Sequence, residues 1–285
     1  MDNIDATLFD FIEKVVYINL SKRTDRREHM EKITKVFGDK VIRFEAIEGK
    51  SGSVGCSKSH IEVIRMAIEH NWKNVLVLED DIEWNINDDS IDSFKKLAMQ
   101  EFDVLLLGAF CPKFNYETNK LNYALATHSY IVNSHYFHTI LENFTTGLKL
   151  LETMKESIYT LDVYWNKLIE KDNWLITIPC LTYQGDGYSD INLIDKKGLY
   201  NSSILSINSF IKNALWGDEI NKIDVTRKIR VMTPIKAVHM LRSSLFISDP
   251  CPLSKKKLII EYQNGNKIIH NEGSKFIIEN GFKKA

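Results

Sequence analysis

The chain has 285 residues, 44% of them hydrophobic and 26% charged, with a formal net charge of −1. That is ordinary globular composition, long enough for one large domain or one and a half and for a full buried core. The near-neutral balance gives no electrostatic footprint for nucleic acid, so no nucleic-acid partner is expected.

At the N-terminus, Asp2, Asp5, Asp10 and Glu13 interrupt the apolar residues, which reads as neither a secretory signal nor a membrane span. Cys56, Cys111, Cys180 and Cys251 are scattered, with no CxxC pair or Cys/His zinc spacing, and are expected to be reduced thiols. A cytoplasmic chain with no transmembrane segment is the expectation; its oligomeric state is not written in the sequence.

Lys14 to Leu20 is a β-branched run and reads as the first strand, followed by a helix over Asp25 to Phe37 and a short strand over Val41 to Ala46. Gly49 to Gly55 has the composition of a flexible loop. Ser57 to His70 reads as a helix capped by Ser57, with Ile61, Ile64, Ala67 and Ile68 at helical spacing. Val75-Leu76-Val77-Leu78 then suits a strand covered on both faces, and it ends abruptly in Glu79-Asp80-Asp81. Phe102 to Gly108 and Ser129 to Asn133 read as further strands, Ser134 to Asn143 and Leu161 to Glu170 as helices, and Leu175 to Ile178 as a strand entering Pro179. Alternation of this kind predicts an α/β fold, a Rossmann-like parallel or mixed sheet flanked by helices. Beyond Tyr200 the pattern weakens: Ser203 to Trp216 reads as helical, and Asn264-Gly265 between Leu258-Ile259-Ile260 and Ile268-Ile269 reads as a hairpin turn.

Ligands in open α/β sheets bind at the carboxyl ends of the strands. Three adjacent carboxylates delivered there repel unless solvated or neutralised, and a hard divalent cation such as Mn²⁺ or Mg²⁺ suits them. The plainer alternative is that Glu79, Asp80 and Asp81 cap the next helix or sit in a wet loop. The first strand runs into Asn19-Leu20-Ser21-Lys22-Arg23-Thr24-Asp25-Arg26-Arg27, where basic side chains gather at a strand end and a helix start, a place for a phosphorylated ligand or a solvated helix face. Asn19 ends a buried strand with a polar side chain that needs a partner. Ser53-Val54-Gly55-Cys56-Ser57-Lys58-Ser59-His60 offers small residues, hydroxyls and free helix N–H groups, without the spacing of a Walker loop. Cys56 reads as a small packing residue, and His60 as either a bonded core histidine or a site residue.

Taken in order, these pieces resemble glycosyltransferase family 25, which contains lipooligosaccharide galactosyltransferases and collagen hydroxylysine galactosyltransferases. The resemblance runs over residues 14–192 and is carried by Val16-Tyr17-Ile18-Asn19-Leu20 with Arg23 and Arg26, Gly55-Cys56 with Ser59-His60, and Leu78-Glu79-Asp80-Asp81. It continues through His128-Ser129-Tyr130-Ile131-Val132, Leu161-Asp162, and Pro179 with Gln184 and Ser189-Asp190. It implies a GT-A glycosyltransferase domain over 14–195; the tail matches no family pattern, and 196–285 reads from its own residues as a C-terminal extension of a helical segment and a hairpin.

The activity implied is inverting, metal-dependent transfer of galactose or glucose from a UDP-hexose to an acceptor hydroxyl of a glycan or a collagen-like hydroxylysine. Mn²⁺ or Mg²⁺ is the implied cofactor. Asp81 is the first candidate metal ligand, with Glu79 the second. Asn19, Leu20, Arg23, Arg26, Gly55, Lys58, Ser59, His60, Glu79, Asp80 and Gln184 are the candidate donor-binding residues. Asp162 is the candidate base for the acceptor hydroxyl, its alternative being a first-turn aspartate favoured by the helix dipole. Asp186 and Asp190 are further carboxylates near Gln184, and no motif supports His239 as a second metal ligand. The competing functional class is a catalytically silent domain of the same fold that binds sugar nucleotide or glycan. A haloacid-dehalogenase phosphatase is disfavoured, because Asp81 is followed by Ile82, Glu83 and Trp84 rather than by the second aspartate that chemistry requires.

Overall fold

The computed structural model describes residues 6–115, 117–185, 188–189, 194–195, 211–226, 229, 239–240, 249–252, 254–262 and 265–276. The chain divides into two compact units, Met1–Tyr200 and Asn201–Ala285.

In chain order the first unit contains β1 (Lys14–Asn19), α1 (Thr24–Ile33), β2 (Val41–Glu45), α2 (Gly52–Glu69), β3 (Asn74–Glu79), β4 (Ile82–Trp84), α3 (Asp88–Ala98), β5 (Val104–Leu106) and β6 (Phe110–Phe114). It continues with β7 (Leu121–Leu125), β8 (Ser129–Asn133), α4 (Phe137–Met154), α5 (Leu161–Tyr164), α6 (Asn166–Ile169), β9 (Trp174–Ile176), β10 (Thr182–Gln184), β11 (Tyr188–Ser189) and β12 (Ile194–Asp195). Six strands form one sheet in the order β2-β1-β3-β8-β5-β9. Only β8 runs against its neighbours, so the sheet is mixed, as the alternating pattern predicts.

The register aligns one apolar row across five strands. Val15 pairs with Leu76, Leu76 with Ile131, Ile131 with Leu105 and Leu105 with Leu175. All five belong to one buried cluster that also takes Met30 and Ile33 of α1 and Phe94 and Leu97 of α3. Because side chains alternate along a strand, Val75, Val77 and Tyr130 face the other side. There α2 packs on β1 and β3, and α4 packs on α2. Each fully buried residue of this kind is worth about 1.5–3 kcal/mol relative to exposure, which is why the sheet interior reads as unbroken apolar runs rather than alternation.

The structure departs from the sequence reading at α2. The helix begins at Gly52 rather than Ser57, and its N-cap is Ser51, whose hydroxyl accepts from the Val54 amide at 3.3 Å. Ser57 lies inside the helix and donates to the Ser53 carbonyl. Gly52 to Gly55 therefore form the first turn of the helix, while Gly49 to Ser51 precede it outside the helix. A Cβ added to Gly55 would lie 2.5 Å from the Ile47 carbonyl oxygen and 2.9 Å from the Gly49 nitrogen, so the preceding segment runs directly against the helix start.

The second unit holds β13 (Ile211–Gly217), β14 (Lys222–Asp224), β15 (His239–Met240), β16 (Lys257–Tyr262), β17 (Lys267–Asn271) and β18 (Lys275–Phe276). Four of these make an antiparallel sheet, β14-β13-β16-β17, and the hairpin expected at Gly265 is present as β16 and β17. The helix expected over Ser203 to Trp216 is corrected where it can be seen: residues 203–210 lie outside the described ones, and the rest is strand β13. Pairing on both sides, to β14 and β16, and burial of Ile211, Ala214 and Trp216 with Leu258, Ile260 and Tyr262 outweigh its local helical spacing.

Candidate functional site

The parallel pairing of β1 and β3 sets Ile18 opposite Glu79, so the polar residues that follow each strand emerge side by side. Asn19, only 1% exposed, donates from Nδ2 to Asp80 Oδ2 at 2.8 Å and to the Arg23 carbonyl at 3.1 Å. Its Oδ1 accepts from Arg43 Nε of β2 at 3.0 Å. Thus the amide is spent on tying two strand ends to the start of α1, and it meets the partner requirement read from sequence.

From α1, Arg26 Nη1 reaches Asp80 Oδ1 at 2.6 Å and Asp81 Oδ2 at 3.5 Å. The side chains of all three are less than one-fifth exposed, so this guanidinium neutralises much of the charge that the acidic run would otherwise concentrate. Asp81 is fixed through its backbone, whose carbonyl accepts from the Gly185 amide at 2.6 Å. β10 pairs antiparallel with β4, Gln184 opposite Ile82, and brings Gln184 Nε2 to 3.4 Å from Asp81 Oδ1.

Glu79 turns the other way. Its Oε1 accepts from Thr127 Oγ1 at 2.6 Å and lies 3.5 Å from His60 Nε2. His60, 1% exposed, is held through Nδ1 by the Tyr130 hydroxyl at 2.8 Å. Burial alone would raise the Glu79 pKa, but His60, the Thr127 hydroxyl and nearby His128 outweigh it and hold the carboxyl below its ordinary range. Beside it, burial and the charges of Glu79 and Asp162 push the Cys56 thiol well up. One donor atom from each of Cys56, His60 and Glu79 falls within a 4.8 Å span.

A cavity of about 340 Å³ opens over these strand ends, within the usual size range for a small-molecule site. Leu20, Arg26, Gly55, Ser59, His60, Glu79, Asp80, Asp81 and Gln184, all singled out from sequence, line it. Four singled-out residues do not line it: Asn19, Arg23, Lys58 and the candidate base Asp162. Asn19 acts from behind the wall, as described. Arg23 pairs with its neighbour Asp25 at 2.9 Å. Lys58 turns to α4, where its Nζ meets Glu152 at 2.8 Å.

Asp162 stands in the first turn of α5. It accepts from Thr160 Oγ1 at 3.1 Å and from the Ala126 amide at 3.1 Å, one residue before the threonine that holds Glu79. Asp186 and Asp190 lie outside the described residues, and the side chain of His239 is likewise not described.

Sequence reasoning missed Ala46, Ile47, Glu48 and Cys56 as cavity walls. The signal was the pair Gly49 and Gly55, glycines placed where two backbones meet. Thr127 and Arg43 carried no local signal at all.

Residues 50–164 match the family model described as Glycosyltransferase family 25 (LPS biosynthesis protein). A curated relative, a Glycosyltransferase 25 family member of Drosophila melanogaster, is 28% identical over 26% of this chain and 16% of its own length. This chain thus spans well under two thirds of that relative. Among solved structures, it is similar to a glycosyltransferase involved in glycosylation of the major capsid of PBCV-1, with 13% identity, TM-score 0.39, and 57% of this chain and 80% of the other covered. It is also similar to the glycosyltransferase GlyE of Streptococcus pneumoniae TIGR4, with 12% identity, TM-score 0.37, and 58% and 45% covered. The family match runs through the start of α2, the acidic end of β3 and Asp162, so over residues 50–164 the chain is similar to glycosyltransferase family 25.

Proposed function

We propose that this chain is an inverting, metal-dependent glycosyltransferase of GT-A type that moves a hexose, galactose or glucose, from a UDP-sugar to an acceptor hydroxyl of a glycan or a protein. The observation that supports it most is the cavity at the strand ends, which gathers a guanidinium, two partly buried aspartates and the N-terminus of an 18-residue helix in one ligand-sized space. A nucleoside diphosphate needs that combination of donors and cation-holding carboxylates.

Residues present at the cavity fit a hard divalent cation. Asp81 lines it, and its contacts to Arg26 and Gln184 at 3.5 and 3.4 Å are longer than ordinary charged hydrogen bonds. Its carboxylate oxygens are the hard donors that Mn²⁺ and Mg²⁺ favour. When bound, such a cation neutralises the diphosphate and stabilises charge on the departing UDP. Arg26 shares that task from α1, and the N-terminus of α2, whose Gly52 and Gly55 line the cavity, faces the phosphates or the sugar hydroxyls.

Gln184, tied to Asp81, orients the donor. Asp162 accepts the proton of the acceptor hydroxyl as it attacks the anomeric carbon; its two hydrogen bonds, to Thr160 and Ala126, fix the carboxylate in one direction. The test is UDP release from a panel of UDP-sugars, with Mn²⁺ or with EDTA. One UDP-hexose turned over only with Mn²⁺ is the expected result. Silence across the panel together with no thermal stabilisation by UDP plus Mn²⁺ overturns the reading.

A further inference from the structure

We propose that Cys56, His60 and Glu79 form a second metal site, one for Zn²⁺, distinct from the hard-cation position at Asp81. The sulfur, imidazole nitrogen and carboxylate oxygen all fall within 4.8 Å of one another. That mixed donor set is the kind Zn²⁺ takes in a tetrahedral site, whereas Mn²⁺ and Mg²⁺ favour oxygen alone.

The imidazole carries the second, independent observation. His60 is 1% exposed, and its buried Nε2 has no hydrogen-bond partner closer than the 3.5 Å approach to Glu79 Oε1, a weak contact for a buried ring nitrogen. That atom points into the cluster. The other ring nitrogen is held by the Tyr130 hydroxyl at 2.8 Å, the outer contact that fixes ring direction in metal-binding histidines. Glu79 is held likewise by the Thr127 hydroxyl at 2.6 Å. Cys56 binds as thiolate, its proton leaving to solvent as the ion enters. All three residues also line the cavity, so a fourth position is open to water or to a ligand oxygen.

Co²⁺ serves as the probe, added under anaerobic conditions to the full chain after chelator treatment. The expected result is a thiolate-to-cobalt charge-transfer band with the strong visible bands of a tetrahedral ion. The signal should saturate at one equivalent and bleach on adding Zn²⁺. Cys56→Ser removes the charge-transfer band, and His60→Gln weakens Zn²⁺ binding at least as much as the roughly 10–100-fold that loss of an outer-shell partner costs. Asp81→Asn keeps the band, which separates this site from the hard-cation site and makes the result independent of whether the chain transfers sugar. A wild-type chain with no charge-transfer band overturns the proposal. So does an unchanged band in folded Cys56→Ser, since Cys111, Cys180 or Cys251 would then supply the thiolate.

Discussion

Glu79 and Asp81 stand two positions apart, yet they answer to different halves of the sheet's surroundings. Glu79 points toward the face covered by α2, where it meets Thr127, His60 and Cys56. Asp81 points toward α1 and β10, where it meets Arg26 and Gln184. The difference follows from the strand. Glu79 is its last residue and still obeys the alternation of side chains, whereas Asp80 and Asp81 belong to the turn into β4 and are directed by Asn19, Arg26 and Gly185. A run of three acids is therefore two neighbourhoods, one with soft and nitrogen donors and one with hard oxygens beside a guanidinium.

The largest expected effects test what each carboxylate does in transfer. Asp162→Asn should lower transfer by about 10²–10⁴-fold, the usual contribution of a positioned base, while UDP binding is kept. Equal loss of both would make Asp162 a structural residue. Asp81→Asn should cost about 10²–10³-fold in Mn²⁺-dependent UDP release, as loss of one preorganised electrostatic group does, with the fold intact. If its turnover with Mn²⁺ matches the wild type, the metal assignment is wrong.

Stability effects come next. Arg26→Met leaves Asp80 without its 2.6 Å partner in a place where both side chains are mostly covered. Removing one member of a buried pair costs about 3–5 kcal/mol, and residual exposure puts this one toward the lower end; denaturant unfolding measures it. Thr127→Val removes the hydroxyl from Glu79 and should cost about 1–3 kcal/mol at neutral pH. Its pH dependence has a definite sign. The Glu79 carboxyl is held below its ordinary value of 4.5, so the stability it contributes is complete above that value and is lost as pH falls through the lower, folded-state pKa. The gap between wild type and Thr127→Val should thus narrow in acid. A gap that stays constant down to the acid unfolding limit would mean that Thr127 does not act through the ionised Glu79.

The sheet was legible because burial on both faces writes itself as unbroken apolar runs, and β1, β3 and β8 each carry one. The acidic lip was legible for the same reason, as an abrupt end to such a run. What could not be read was anything decided by a partner far along the chain. Thr127 lies 48 positions from Glu79, and Arg43 lies 24 from Asn19, with nothing local to mark either. Composition misled at α2, where Gly55 looks like a loop residue but is small because Ile47 and Gly49 press against the helix start. It misled again at β13, whose helical spacing yields to two strand partners.

Lys58 gives the smallest effect and the sharpest check on this division between local pattern and distant contact. Sequence order sets it among donor-binding residues, between Gly55 and His60. Helix geometry does otherwise: three residues beyond Gly55 and two before His60, Lys58 is rotated off the strand-facing side of α2 and meets Glu152 of α4 at 2.8 Å, with both side chains over one-third exposed. An exposed pair of this kind is worth about 0–1 kcal/mol. Lys58→Ala should therefore lower stability by no more than that and leave the KM for the UDP-sugar unchanged. Glu152→Ala should match it in stability, since either truncation breaks the same contact. A several-fold rise in KM for Lys58→Ala, with Glu152→Ala silent, would show the lysine leaving Glu152 for the donor phosphates. The first turn of α2 would then contribute a charge to the cavity as well as the helix N-terminus.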